Sequence, residues 1–192
     1  MHTTNDHSKC CNISKCPIRT AAANGDLEPV KASFDPKLGR KNIGIMHCAA
    51  KHGQFEVMMW ILDASKGEEL PFGPLVFVSA AKFGDLSIMK WLKDHGCPFD
   101  SLTMIGAVSS GKLENVKWLH SIGCPICTQS FHVAARKGNL KLLKFLKDHN
   151  APWSWYTSLE AVENGNWNNI RWLRDNGCPW YENTEYLSWP II

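Results

Sequence analysis

One segment recurs along the 192 residues of this chain. Small residues are followed by a glycine, then a polar residue, then a large apolar residue. The anchoring glycines are Gly25, Gly53, Gly84, Gly111, Gly138 and Gly165, and from Gly84 onward they stand 27 residues apart. A period of that size is typical of stacked supersecondary units, each of which buries its apolar face against a neighbour. The sequence therefore predicts an array of stacked helical units.

Each regular unit contains two predicted helices. The first helix ends at the anchor glycine, which adopts the left-handed C′ conformation at little steric cost. Asp85, Asn139 and Asn166 follow their glycines and are good N-caps for the second helix. Apolar residues two, five and eight after the glycine predict a buried stripe on that helix. An aromatic column seven residues after the glycine is expected to be core between repeats: Trp60, Trp91, Trp118, Phe145 and Trp172.

The period also predicts how the chain is divided. Residues 1–15 are polar and are expected to form a flexible leader. Residues 16–181 are expected to form about six repeats, of which the first is degenerate because Pro36 and Gly39 end its second helix early. Residues 182–192 are predicted to be a C-terminal cap. The expected fold class is all-α, an α-solenoid of stacked helix-turn-helix units.

Composition and charge indicate which compartment and which kinds of partner to expect. The net charge is only +3, and no apolar run approaches the ~20 residues of a membrane span. The polar start has no signal-peptide core, so the eight cysteines are expected to be thiols in a reducing compartment. Cys10, Cys11 and Cys16 lack the paired spacing of a zinc site. We expect a cytoplasmic monomer without a membrane partner, metal or cofactor.

Two alternative functions remain open at this level. Cys124 and Cys127 have the spacing of a thiol redox motif. However, Cys97 and Cys178 occupy the same repeat position as Cys124, which favours a structural turn residue. The second alternative is a nucleic-acid-binding array, because cations recur six and nine residues after the glycine. The two columns are Lys90, Lys117, Lys144 and Arg171, and Lys93, His120, Lys147 and Arg174.

Acidic residues argue against the nucleic-acid alternative. Asp94, Asp148 and Asp175 follow Lys90, Lys144 and Arg171 by four residues, which places each pair on one helical face. Such pairs are expected to neutralise the face, so we do not expect a nucleic-acid partner.

The repeated segment resembles the ankyrin repeat. Met46-His47-Cys48-Ala49-Ala50-Lys51-His52-Gly53 and the segment from Phe131 to Gly138 are similar to that family's Thr-Pro-Leu-His-x-Ala-Ala-x-x-Gly sequence. Ankyrin units repeat at about 33 residues, and the missing residues lie where the family places a β-hairpin finger. The Trp-Leu and Gly-Cys-Pro variants resemble the short ankyrin arrays of large DNA viruses of amoebae.

The resemblance implies a non-catalytic protein-protein interaction module. It implies that His47 and His132 hydrogen-bond to neighbouring backbone and tie adjacent repeats together. If the viral resemblance extends to function, the partner is a host protein and the location is the host cytoplasm. No small-molecule substrate or catalytic residue is expected. With the finger absent, candidate partner-binding residues lie at first-helix ends and turns: Lys51, Lys82, Phe83, Arg136, Lys137 and Trp155.

Overall fold

The computed structural model describes residues 16–66, 68, 71–83 and 86–180. These residues form twelve α-helices and one 3₁₀ helix, and no strand occurs among them. The α-helices are α1 (Pro17–Asn24), α2 (Leu27–Ser33), α3 (Ile43–His52), α4 (Phe55–Ala64), α5 (Pro74–Phe83), α6 (Leu86–Asp94), α7 (Ser101–Ser110), α8 (Leu113–Ser121), α9 (Thr128–Arg136), α10 (Leu140–Asp148), α11 (Trp155–Asn164) and α12 (Trp167–Asp175). The 3₁₀ helix (Pro36–Asn42) follows α2. The predicted leader and C-terminal cap lie outside the described residues.

The chain divides into two compact units at Thr103 and Met104, inside α7. In the first unit, α3 packs between α1 and α5, and each of these first helices also packs against its own second helix. In the second unit, α9 packs against α11, while α10 and α12 pack on α9 and α11. This pattern of neighbouring helix pairs confirms the predicted all-helical repeat.

Glycines end the first helices and asparagines cap the second helices, as the sequence predicted. Gly138, after α9, has a φ of +66°, a conformation that costs an L-residue roughly 1–2 kcal/mol. The side chain of Asn139 then accepts a hydrogen bond from the Leu142 amide at 3.2 Å, and Asn166 caps α12 in the same way. Asp85 lies outside the described residues. Asn150, which replaces the glycine after a second helix, also has a positive φ, of +52°.

The buried stripe on the second helices is broader than predicted. In the helices from α4 onward, the residues five and eight after the glycine are buried. Of those two after it, Leu86, Leu113 and Leu140 are only partly buried, and Trp167 is 52% exposed. A fourth column, four residues after the glycine, is also buried: Ile88, Asn115, Leu142 and Asn169. The sequence does not reveal this column, because Asn115 and Asn169 are polar and a buried helical stripe is expected to be apolar.

The aromatic column lies less deeply than expected. All five rings are half-buried rather than fully buried. Trp60 meets Phe34 edge-on at 5.4 Å between ring centroids, and Trp91 meets Phe55 at 6.2 Å. Trp60 and Trp91 thus each pack against a neighbouring aromatic ring and remain partly accessible to solvent.

Candidate functional site

Three of the candidate residues come together at the ends of α3 and α5. Lys51 lies in the last turn of α3, and Lys82 and Phe83 end α5. The Nζ atoms of Lys51 and Lys82 lie 5.0 and 4.9 Å from the centroid of the Phe83 ring. The ring itself remains 50% exposed. The first unit therefore displays an apolar ring between two ammonium groups, which we call the Phe83 cluster.

Physical chemistry explains why this cluster is stable on the surface. Each exposed cation–π contact contributes about 0.5–1 kcal/mol. Lysines in the last turn of a helix also face the negative end of its dipole, which favours a positive charge there. Neither effect requires the phenyl ring to be exposed. An exposed aromatic ring is costly to hydrate and is the kind of side chain that anchors protein interfaces.

Trp155 lies at the start of α11 beside a second aromatic residue, Tyr156. The two side chains are 45% and 41% exposed, with ring centroids 5.6 Å apart. Tyr156 also contacts the ring of His132 from α9, at 5.0 Å. We call Trp155 and Tyr156 the Trp155 pair. It adds a second exposed aromatic surface, in the second unit.

His132 ties adjacent repeats together through a side chain rather than through backbone. Its Nε2 lies 2.9 Å from the Ser154 hydroxyl oxygen. A histidine beside a serine is the first requirement of a nucleophilic pair. Here Ser154 is the N-cap residue of α11, and its amide donates a hydrogen bond to the Thr157 hydroxyl at 3.5 Å, so the position has a structural use. Burial lowers the pKa of His132, which keeps the imidazole neutral near pH 7.

Arg136 and Lys137 differ from each other in their surroundings. The Arg136 Nε lies 3.9 Å from Oε2 of Glu160, a carboxylate that is almost fully buried. That oxygen has no hydrogen bond, so the nearby guanidinium provides its electrostatic compensation. Lys137 is exposed. Arg136 therefore has a structural role that the sequence did not reveal, and Lys137 is the more available cation.

The sequence interpretation missed Tyr156, although a signal was present. Leu75, Leu102, Gln129 and Tyr156 stand 27 residues apart and are all exposed. Large apolar residues at an exposed repeat position are informative, because no packing requirement of the stack explains them.

The turn cysteines do not resemble a reactive dithiol. Burial raises the pKa of Cys97 and of Cys178 to about 12, and Cys124 in the same repeat position is equally buried. A reactive cysteine requires the opposite shift. Neither Cys124 nor Cys127 is in a disulfide. The turn position thus favours the structural interpretation of Cys124.

The basic columns are neutralised differently from the prediction. In the described part of the chain, no ion pair within 4 Å joins Lys90 to Asp94 or Lys144 to Asp148, so this detail was wrong. Lys117 instead pairs with Glu114 at 3.1 Å. The Nζ of Lys147 lies 4.0 Å from the ring centroid of Trp153. Lys117 and Lys147 thus each have a local partner, whereas Lys90 and Lys144 are exposed.

The described residues contain no group of three or more His, Cys, Asp or Glu side chains arranged to hold a metal ion. None of their helices is both long and apolar enough to cross a membrane.

Comparison with known proteins identifies the fold. The structure is similar to the crystal structure of the human ASB11 ankyrin repeat domain, with a TM-score of 0.64 and 18% sequence identity. The similarity covers 86% of this chain and 85% of that chain. No protein-family model and no curated protein sequence matches the chain. The fold is therefore that of an ankyrin-type helical repeat solenoid, as the repeat pattern predicted.

Proposed function

We propose that this chain is a non-catalytic module that binds a protein partner through the ends of its first helices. The observation that carries the proposal is the Phe83 cluster, in which a half-exposed ring lies between Lys51 and Lys82. Aromatic rings are enriched at the centres of protein interfaces, whereas lysines lie mainly at the polar rim. Two flanking ammonium groups favour a partner segment with acidic residues beside an apolar one.

In the second unit, a separate candidate surface consists of Lys137 and the Trp155 pair, with Arg136 in a supporting role beside Glu160. These residues lie at helix ends, which the stack holds rigidly but whose side chains it does not constrain. The module acts as a monomer in the cytoplasm in this proposal. None of its six described cysteines is in a disulfide, which suits a reducing compartment.

A host protein is the proposed target. The short period and the Gly-Cys-Pro turns resemble ankyrin arrays of large DNA viruses of amoebae, and this resemblance supports a viral source. A viral binding module without catalytic groups acts by masking or redirecting what it binds. Capture from an amoebal lysate, compared with an unrelated lysate, tests this part separately.

The experiment that tests the function is quantitative affinity capture followed by mass spectrometry. The wild-type chain is compared with Phe83→Ala and Trp155→Ala. Trp167→Ala is the matched control, because it removes a tryptophan that is 52% exposed on a second helix. We expect a partner retained by the wild type and the control and depleted at least about tenfold by one of the two test variants. Equal retention of every partner by all four proteins contradicts the proposal.

A further inference from the structure

The first helices of the first unit carry basic residues and no acidic ones. Helices α1, α3 and α5 contain neither aspartate nor glutamate. Their cations are Arg19 in α1, Lys51 in α3 and Lys82 in α5, and α3 also contains two histidines. The acidic residues described in this unit lie in second helices or in the connections between helices. The charged side chains of these three first helices are therefore all basic.

The basic residues of α1 and α3 lie close together, because α1 packs on α3. The Arg19 guanidinium occupies the space that a Cβ atom at Gly44 of α3 would fill. Burial lowers the pKa of His47, and the charges of Lys51 and Arg19 lower it further. Burial raises the pKa of the Cys48 thiol, and the same two cations oppose that shift. Arg19 and Lys51 thus act electrostatically on the same side chains.

The positive charge continues from α3 to α5 through the Phe83 cluster. The ammonium groups of Lys51 and Lys82 both lie over the Phe83 ring. In the described part of the chain, no carboxylate lies within 4 Å of either ammonium group. Arg136 has the same repeat position as these lysines, but it lies 3.9 Å from Glu160. The repeat therefore permits an acidic partner for this cation, and the first unit does not provide one.

Like charges that lie close together repel one another, and the packing of the stack does not require them. An acidic partner would relieve this repulsion, and complementary charges also provide specificity. A nucleobase would have to stack on the Phe83 ring, where the two ammonium groups already lie, whereas an aliphatic side chain needs only the exposed part of the ring. A protein segment therefore fits this surface better than a single-stranded nucleic acid. We call the surface the cationic face, and it consists of Arg19, His47, Lys51, Lys82 and Phe83.

We propose that the cationic face binds an acidic protein segment, in which aspartate or glutamate side chains flank a large apolar side chain. The apolar side chain contacts the exposed part of the Phe83 ring. One carboxylate pairs with Lys82, and others lie near Lys51 and Arg19. This inference rests on the function proposed above. It adds the chemical class of the partner and extends the binding surface from the Phe83 cluster to α1.

The test uses three fluorescein-labelled peptides of equal length. The first has glutamates around a central leucine, the second has serine in place of that leucine, and the third has lysines in place of the glutamates. Binding to the full chain is measured by fluorescence anisotropy at low and moderate salt. We expect the acidic leucine peptide to bind, and to bind less tightly as salt is raised. The serine peptide is expected to bind at least about threefold more weakly, and the lysine peptide not to bind up to about 1 mM.

Variants of the chain locate the binding site. Lys51→Gln and Lys82→Gln are each expected to weaken binding of the acidic leucine peptide about three- to tenfold. Phe83→Ala is expected to weaken binding of the leucine peptide but not of the serine peptide, because only the leucine contacts the ring. Arg19→Gln is expected to weaken binding more than Arg19→Lys, which retains the charge. Lys90→Gln is the matched control, because it removes an exposed lysine from the second helix α6 of the same unit. It is expected to leave the affinity unchanged, and thermal unfolding checks that each variant is folded.

Three results overturn the proposal. The first is equal binding of the glutamate and lysine peptides, or no binding of any peptide up to about 1 mM. The second is unchanged affinity for the acidic leucine peptide in both Lys51→Gln and Lys82→Gln. The third is tighter binding of a labelled single-stranded oligonucleotide than of the acidic peptide, lost in Lys51→Gln, which assigns the face to nucleic acid. A captured partner that Phe83→Ala depletes but excess acidic peptide does not displace overturns this inference and leaves the proposed function in place.

Discussion

Asn115 offers a sharp test of how the repeats pack. It lies in the buried column four residues after the anchor glycine and is 3% exposed. Its side-chain Nδ2 has no hydrogen-bond partner in the described structure. The equivalent residues Ile88 and Leu142 are apolar and buried. The position therefore accommodates a branched aliphatic side chain, whereas the asparagine there buries its Nδ2 without a hydrogen-bond partner.

Replacement of Asn115 by leucine is expected to stabilise the protein. A buried, unsatisfied polar group costs about 1–3 kcal/mol, and this cost disappears in the variant. For a chain of this length, 1 kcal/mol shifts Tm by roughly 2–4 °C. The expected increase is thus about 2–12 °C. Any overpacking reduces it, because leucine is larger than asparagine.

The assay is thermal and urea unfolding followed by circular dichroism. The reverse substitution, Leu142→Asn, is the matched control. It removes about 1.5–3 kcal/mol of apolar burial and introduces an unsatisfied amide, so Tm is expected to fall by more than Asn115→Leu raises it. A lower Tm for Asn115→Leu, with a normal decrease for Leu142→Asn, refutes the reasoning. That result means that the buried amide is satisfied or has a favourable role.

Three further predictions concern caps, histidines and thiols. Gly138→Ala is expected to lower the urea midpoint more than Gly123→Ala. Both glycines have positive φ, but only at Gly138 does an added Cβ meet a neighbouring side chain, at 2.5 Å. The free energy of unfolding is expected to fall as pH drops below 6.5. Burial lowers the pKa of His47 and His132 in the folded state, so at these pH values the unfolded chain binds more protons than the folded chain. Replacing both histidines with glutamine should flatten this slope, and an unchanged slope contradicts the assignment. Burial raises the pKa of Cys97 to about 12, so this thiol should not be alkylated by iodoacetamide at pH 8 until urea unfolds the chain. Equal labelling rates with and without urea would contradict its burial.

The repeat period made most of the fold predictable. A fixed spacing places the same chemistry at the same structural position, so glycine caps, N-cap asparagines and buried stripes could be assigned without coordinates. The buried column escaped notice because Asn115 and Asn169 are polar, and a polar residue at a core position contradicts the binary pattern. The depth of the aromatic column also could not be predicted, since burial depends on how closely neighbouring second helices approach.

The candidate site was predictable only in part. The sequence singled out Phe83 and Trp155 because they break their columns, and the structure finds both exposed. It could not show that Lys51 and Lys82 come from different repeats to flank one ring. It also could not show that Arg136 lies beside Glu160, because that contact joins residues 24 positions apart on separate helices. Contacts between repeats depend on side-chain direction, which periodicity alone does not fix.

The central claim is that first-helix ends form the partner-binding surface. Hydrogen exchange of the chain, with and without its captured partner, tests this claim most directly. The account predicts slower exchange at the end of α5, around Phe83, and at the start of α11, around Trp155. Protection confined to second helices such as α8, α10 and α12, with α5 and α11 unchanged, would contradict it.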